Sequence, residues 1–216
     1  ATIRSLMPGF RMQPYEETTG RGFLRHVLVK RGFRSGEIMV VLVGGTPVFP
    51  AKKRFVSALL ERHPEITTVI FNLNQKHTSL VLGDREEVLY GKGYIEEQLC
   101  GCTFRISAKS FYQINPIQTQ VLYRKALEMA ELTGQETVID AYCGTGTIGI
   151  IAAGKAKQEI GVELNRDAVR DAIANAKQNH CTNIYFHCAD AGEFLVQMAE
   201  EGKQADVVLM DPPRAG

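Results

Sequence analysis

From residue 137 onward, four short apolar runs alternate with helical segments, and each run ends at an acidic residue. Strands that alternate with helices specify βαβ units on a parallel sheet. The expected elements are a strand over 137–140, a helix over 146–153, a strand over 159–164 and a helix over 166–179. A strand over 184–188, a helix over 192–201 and a strand over 205–210 follow. Val138–Ile139 and Val207–Met210 are apolar on both faces, as suits strands covered by helices on two sides. Chemistry in such sheets gathers at the carboxyl ends of the strands. Those ends carry Asp140-Ala-Tyr-Cys-Gly-Thr-Gly-Thr-Ile-Gly149, then Glu163, Asp190 and Asp211-Pro-Pro-Arg214.

Two ligand classes fit a glycine loop between a strand and a helix. Gly144-Thr-Gly146-Thr-Ile-Gly149 matches the dinucleotide pattern G-x-G-x-x-G, and Glu163 lies 19 residues after Gly144, where that pattern expects an acid. A dinucleotide would set its pyrophosphate beside Asp140, which repels it. S-adenosyl-L-methionine has no phosphate and carries a sulfonium and an ammonium, so acids at several strand ends favour it. The expected fold is therefore α/β, a Rossmann-like class I S-adenosylmethionine-dependent methyltransferase core over 105–216, preceded by a smaller α+β domain over 1–104.

The first segment reads as strands over 24–30 and 37–43 joined by a turn at 31–36, a helix over 51–62, and short strands over 67–73, 79–82, 87–89 and 102–107. A helix over 116–132 follows, with Pro116 in its first turn and Gly134 past its end. The net charge of +1 conceals an asymmetry. Residues 1–54 hold ten Lys/Arg against three acids, while the remainder is acidic. A basic segment of this kind suits a polyanion such as RNA, or is a solvated face. The five cysteines include no CxxC pair, which speaks against a disulfide framework or a metal site and for a reducing cytoplasm. No apolar run is long enough to span a bilayer.

From Phe104 onward the chain resembles the uracil-5-methyltransferase family that modifies ribosomal and transfer RNA. Ser110-Phe-Tyr-Gln-Ile-Asn115 is similar to the family's Phe-x-Gln-x-Asn signature, residues 140–149 to its cofactor loop, and Asp211-Pro-Pro-Arg-Ala-Gly216 to its motif after the fourth strand. Thr19-Gly-Arg-Gly-Phe-Leu-Arg25 and Phe71-Asn-Leu-Asn74 resemble the segment ahead of that core more loosely. The resemblance implies these roles. Gln113 contacts the amino-acid end of S-adenosyl-L-methionine. Tyr142, Gly144, Gly146 and Thr147 line the loop around its methionine part. Glu163 holds the ribose hydroxyls and Asp190 reaches the adenine. Asp211 stands between cofactor and target base, and Asn115 positions the substrate. Each has a plainer alternative: Gln113, Asn115, Thr147, Asp190 and Asp211 as caps of helices or turns, Tyr142 as packing.

The implied reaction forms 5-methyluridine, with ribosomal RNA expected ahead of transfer RNA. Uracil C5 is a poor nucleophile until a protein thiolate adds to C6; a base later removes the C5 proton. The family's cysteine and base both follow the Asp-Pro-Pro segment, so the chain is expected to be an incomplete copy, inactive by itself. Arg214 in place of an aromatic argues against amine methylation of adenine or guanine. A methyltransferase of small molecules and a non-catalytic RNA-binding module with a relic pocket are the competing readings.

Overall fold

The computed structural model describes residues 1–77 and 79–212. Pro213 and Arg214 of the segment expected after the fourth strand therefore lie outside the described residues. The chain divides into two compact units, Ala1–Glu96 and Glu97–Gly216.

The first unit opens with α1 (Thr2–Leu6) and a 3-10 turn, then β1 (Leu24–Arg31), β2 (Ile38–Gly44), α2 (Lys52–Arg62), β3 (Ile66–Leu73) and β4 (Arg85–Tyr90). Its four-stranded sheet runs β1-β2-β3-β4, with β2 and β3 parallel across α2 and the outer pairs antiparallel. One face of α2 presents Phe55, Val56 and Leu59 to Val40, Leu42, Val69 and Phe71. The strand expected over 79–82 does not form. Asn74 Nδ2 donates to the carbonyls of Leu80 (2.8 Å) and Val81 (3.2 Å), and Gly83 N–H donates to Asn72 Oδ1 (2.7 Å). Side chains thus take the backbone groups that a strand would offer to a ladder.

Arg25 ties this unit together. Its side chain is 1% exposed, forms a bidentate pair with Glu17 at 2.8–2.9 Å, and donates to the carbonyls of Asn74 (2.8 Å) and Lys76 (3.0 Å). The guanidinium also lies 4.7 Å from the centroid of the Tyr15 ring. A lysine cannot reproduce this fork and stack. Arg25→Lys is expected to lower stability by about 2 kcal/mol, read as a shifted denaturant midpoint.

The second unit holds β6 (Cys102–Ile106), which pairs with β5 (Ile95–Leu99), then α3 (Pro116–Met129), β7 (Thr137–Ala141), α4 (Thr147–Ala153) and β8 (Gln158–Glu163). It continues with α5 (Arg166–Gln178), β9 (Ile184–Cys188), α6 (Ala191–Glu200) and β10 (Val207–Met210). The sequence pattern changes at 104, yet the division falls earlier, within β5. Leu99 and Phe104 are buried with Tyr123, Ile150 and Ala176, so this hairpin shares the α/β core. The helix expected to reach residue 132 stops at Met129, because Glu131 turns left-handed (φ 48°).

The sheet is parallel in the order β10-β7-β8-β9. Two separate apolar clusters pack against this sheet. Tyr123, Ile150 and Ala176 form one cluster, while Ala191 and Met198 pack on Ile139, Ala141 and Val162. The chain runs outward from β7 to β9, then crosses back to place β10 on the other side of β7. The strand order therefore reverses between β7 and β10, and the crevice outside their carboxyl ends is where such sheets bind ligands.

Candidate functional site

The residues just beyond β7 turn sharply. Tyr142 adopts φ 66°, a left-handed conformation that a bulky side chain reaches only under constraint. Gly144 and Gly146 follow at φ 54° and 78°. A Cβ on Gly146 would lie 3.1 Å from the Phe186 ring and 3.2 Å from Ala172 Cβ, so the turn is glycine both for its backbone and for its neighbours. A Cβ on Gly144 would point into open space. The loop is thus packed on one side and open on the other.

Glu163, at the end of β8, holds this loop. Gly144 N–H donates to its Oε2 (3.0 Å), and Asn165 N–H to its Oε1 (2.7 Å). Thr147, the first residue of α4, shares a hydrogen bond with the Tyr123 hydroxyl at 3.0 Å. Gln113 Nε2 donates to Asp211 Oδ2 at 3.3 Å, across 98 residues of sequence. That contact brings the segment before α3 to the end of β10, beside the sheet's switch point. The segment is anchored in turn by Ser107 and Ser110, whose hydroxyls donate to Asp171 Oδ2 at 2.7 and 2.6 Å.

The four strand-end acids do not act alike. Asp140 is buried and faces α4, where Gly149 N–H donates to its Oδ2 (2.9 Å). Burial first, then the charges of Asp211 and Glu163, push its carboxyl up to about 7. Asp140 is therefore a half-neutral internal group, and its repulsion of a pyrophosphate is weaker than its position suggests. Asp190 caps α6, accepting from Glu193 N–H at 3.0 Å. Asn115 likewise caps α3, accepting from Gln118 N–H at 3.1 Å. Glu163 is held by the backbone of Gly144 and Asn165 at the end of β8, and Asp211 by Gln113 just past β10.

Two residues of this neighbourhood carry little signal in the sequence. Asn175, fully buried on α5, donates to Thr145 O (3.0 Å) and accepts from Arg105 N–H (2.7 Å), linking the loop to β6. A polar residue beside Val169, Ala172 and Ala176 on the buried stripe of a helix is the trace that could have marked it. Glu159 is buried on β8 with neither carboxyl oxygen hydrogen-bonded among the described residues.

Three of the five cysteines are held as thiols. Burial pushes the thiols of Cys143, Cys102 and Cys181 up from their ordinary values, and Cys143 also faces the charges of Asp140 and Glu163. Among the described residues no group of His, Cys, Asp or Glu could hold a metal ion.

Residues 132–213 match the model of a family described as a methyltransferase domain. The whole chain superposes on half of the Pyrococcus abyssi tRNA (uracil-54, C5)-methyltransferase, solved with S-adenosyl-L-homocysteine, at a TM-score of 0.78 and 26% identity. The second unit has the Rossmann-like fold of S-adenosylmethionine-dependent methyltransferases. S-adenosyl-L-methionine is the cofactor of that fold. A domain match of this kind removes the dinucleotide reading of the glycine loop. Among curated relatives, proteins named uncharacterized RNA methyltransferases from Enterococcus faecalis and Listeria monocytogenes are 46% and 44% identical over 99% of the chain. The chain spans about half the length of these relatives, 47% of each.

Proposed function

We propose that this chain forms the cofactor-binding part of an RNA methyltransferase that makes 5-methyluridine. The observation that carries the reading is the Gln113–Asp211 hydrogen bond. It joins the Phe-x-Gln-x-Asn segment to the Asp-Pro-Pro segment at the crevice of a methyltransferase sheet. The names of the relatives support RNA as the substrate. Ribosomal RNA is the proposed target, and the likeness to the Pyrococcus enzyme keeps transfer RNA as the second reading.

The donor set fits the cofactor. Glu163 and Asp211 offer carboxylate oxygens to hydroxyls and to a cationic centre. Gln113 keeps an amide oxygen for an ammonium, and the open side of Gly144 admits a ligand against the backbone. Bound there, S-adenosyl-L-methionine supplies an electrophilic methyl group. Tyr142 and Thr147 line the loop, Gly146 lets it turn, and Asp190 is proposed to reach the adenine while capping α6. Asn115 holds α3 so that Gln113 faces the crevice. Methylation at C5 needs a thiolate at C6; no cysteine of the chain is assigned to it. Among the described residues no helix is long and apolar enough to cross a membrane, and the proposed location is the cytoplasm.

Calorimetric titration of the chain with S-adenosyl-L-homocysteine tests the pocket. Saturable binding is expected, weakened about tenfold by Gln113→Ala through loss of a hydrogen bond to a charged group. Absence of binding overturns the cofactor reading. Methyl transfer by the full-length protein to RNA carrying C5-tritiated uridine tests the target. Tritium release is expected, whereas methylation of RNA without release, or of small metabolites alone, overturns it.

A further inference from the structure

We propose that Asp171 is a positioning residue for the cofactor: its carboxylate fixes the turn at 107–110 and so aims the Gln113 amide at the amino-acid end of S-adenosyl-L-methionine. The proposal rests on the reading of Gln113 as a cofactor contact and adds the residue that sets it.

Gln113 lies in a stretch that cannot place itself. Residues 107–115, between β6 and α3, form neither helix nor strand, so no ladder fixes the backbone there. Phe111 and Ile114, on either side of Tyr112 and Gln113, are exposed. The Tyr112 ring packs beside Leu99, Phe104 and Tyr123. Beyond it, the placement of Gln113 falls to the two ends of the stretch. Asn115 caps α3 at one end. The other end is 107–110, and it is held by α5.

Ser107 N–H donates to Ser110 Oγ (2.9 Å) and Ser110 N–H to Ser107 Oγ (3.2 Å), which closes a compact turn. Each hydroxyl then has one proton left to give. Both donate to Asp171 Oδ2, at 2.7 and 2.6 Å. Ser110 is buried, where a hydroxyl needs a partner. Without the carboxylate one hydroxyl would turn to the other, 2.7 Å away, leaving the turn closed but untied from α5. One helical turn earlier, Asp167 Oδ2 accepts from Lys109 Nζ at 3.1 Å. Carboxylates four residues apart weaken an isolated helix; on α5 both face the same turn.

α5 is a suitable frame. It starts at the Asn165 cap, whose own N–H donates to Glu163 (2.7 Å), and its Asn175 holds the glycine loop through Thr145 O (3.0 Å). Glu163, the glycine loop and the Gln113 stretch are thereby referred to one helix. The support behind a contact residue sets its geometry as much as the residue itself does.

Calorimetric titration of the full chain with S-adenosyl-L-homocysteine, and with 5′-methylthioadenosine, which lacks the amino-acid end, tests the proposal. Asp171→Ala is expected to weaken S-adenosyl-L-homocysteine about fivefold and to leave 5′-methylthioadenosine unchanged. Asp171→Asn keeps an oxygen that both hydroxyls can reach, and is expected to recover most of the affinity. In a Gln113→Ala background, Asp171→Ala is expected to cost nothing more, because the two residues act through one contact. Parent-level affinity in Asp171→Ala overturns the proposal. So do equal weakening of both ligands, additive losses in the double variant, or a loss in Asp171→Asn as large as in Asp171→Ala; in each case the cofactor reading stands. If circular dichroism finds Asp171→Ala unfolded, Ser110→Ala, which drops one tether, carries the same expectations at about twofold. A parent chain that binds neither ligand removes the cofactor reading, and the proposal with it.

Discussion

Raising the pH from 7 to 9 is expected to cost the folded chain about 3 kcal/mol, and Glu159→Gln is expected to remove that loss. Glu159 sits within the sheet with both oxygens unpartnered among the described residues, so its charged form has nothing to replace water. Burial, reinforced by the charge of Asp140, pushes its carboxyl from 4.5 up to about 9. The folded chain then keeps a proton that the unfolded chain has released. A raised carboxyl stabilises fully below the unfolded value, and that stabilisation drains away as pH rises through the folded one. For Glu159 the window runs from 4.5 to about 9. For Asp140 it runs from 3.8 to about 7, so above pH 7 Glu159 acts alone of the two. Each group gives a slope of about 1.4 kcal/mol per pH unit inside its window. Urea denaturation at pH 7, 8 and 9 reads the slope directly. A flat profile in the parent chain, or the same slope in Glu159→Gln, would sink this account. Glu159→Leu removes both the charge and the unpartnered oxygens, and should raise stability at pH 9 more than at pH 5.

The opposite case shows that the sign belongs to the surroundings rather than to the residue type. Glu136 accepts from the backbone N–H groups of Thr133, Gly134 and Gln135 and from the Thr133 hydroxyl, and these bonds hold its carboxyl down at about 2. Glu136 closes the turn between α3 and β7; Glu159 is buried under α4 with no such donors.

The parallel sheet was legible because its physics is written locally. Buried strands are unbroken apolar runs, and Asn165 and Asp190 announce the helices they cap. Elements stabilised by distant partners left weaker traces. β5 carries Glu97 on its buried face between Ile95 and Leu99, which breaks the alternation that marks a strand. The stretch over 79–82 looks β-rich, but Asn74 claims its carbonyls. α1 has five residues, too few to show a helical period. At the site, strand ends fixed where the acids lie, but which way each side chain turns depends on packing. Asp140 shares a face of β7 with Val138 and is drawn under α4. Asp190 turns to its own helix, Glu163 to the backbone of Gly144 and Asn165, and Asp211 to the side chain of Gln113.

Asn175→Leu is expected to destabilise the chain by about 4 kcal/mol and to weaken S-adenosyl-L-homocysteine binding at temperatures where the fold persists. The substitution keeps the branching at Cγ, enlarges a side chain that is fully buried, and removes both of its hydrogen-bonding ends. Thr145 O and Arg105 N–H would then be left without the partners they have at 3.0 and 2.7 Å. Each buried group stranded in this way costs about 1–3 kcal/mol. Asn179 cannot compensate, because its own amide serves Thr103 at 2.8 and 2.7 Å. Thr145 lies between Gly144 and Gly146, so the same loss frees the loop that faces the cofactor. Asn175→Asp separates the two effects: it retains an acceptor for Arg105 N–H but sets a carboxylate oxygen against the Thr145 carbonyl. Binding should therefore suffer in both variants, while the attachment of β6 suffers mainly in Asn175→Leu. Hydrogen exchange at the Arg105 amide reports that attachment, and fast exchange confined to Asn175→Leu is the expected pattern. Full stability in Asn175→Leu, or unaltered cofactor affinity in both variants, would show that the loop is held by its glycine turns and by Glu163 without help from α5.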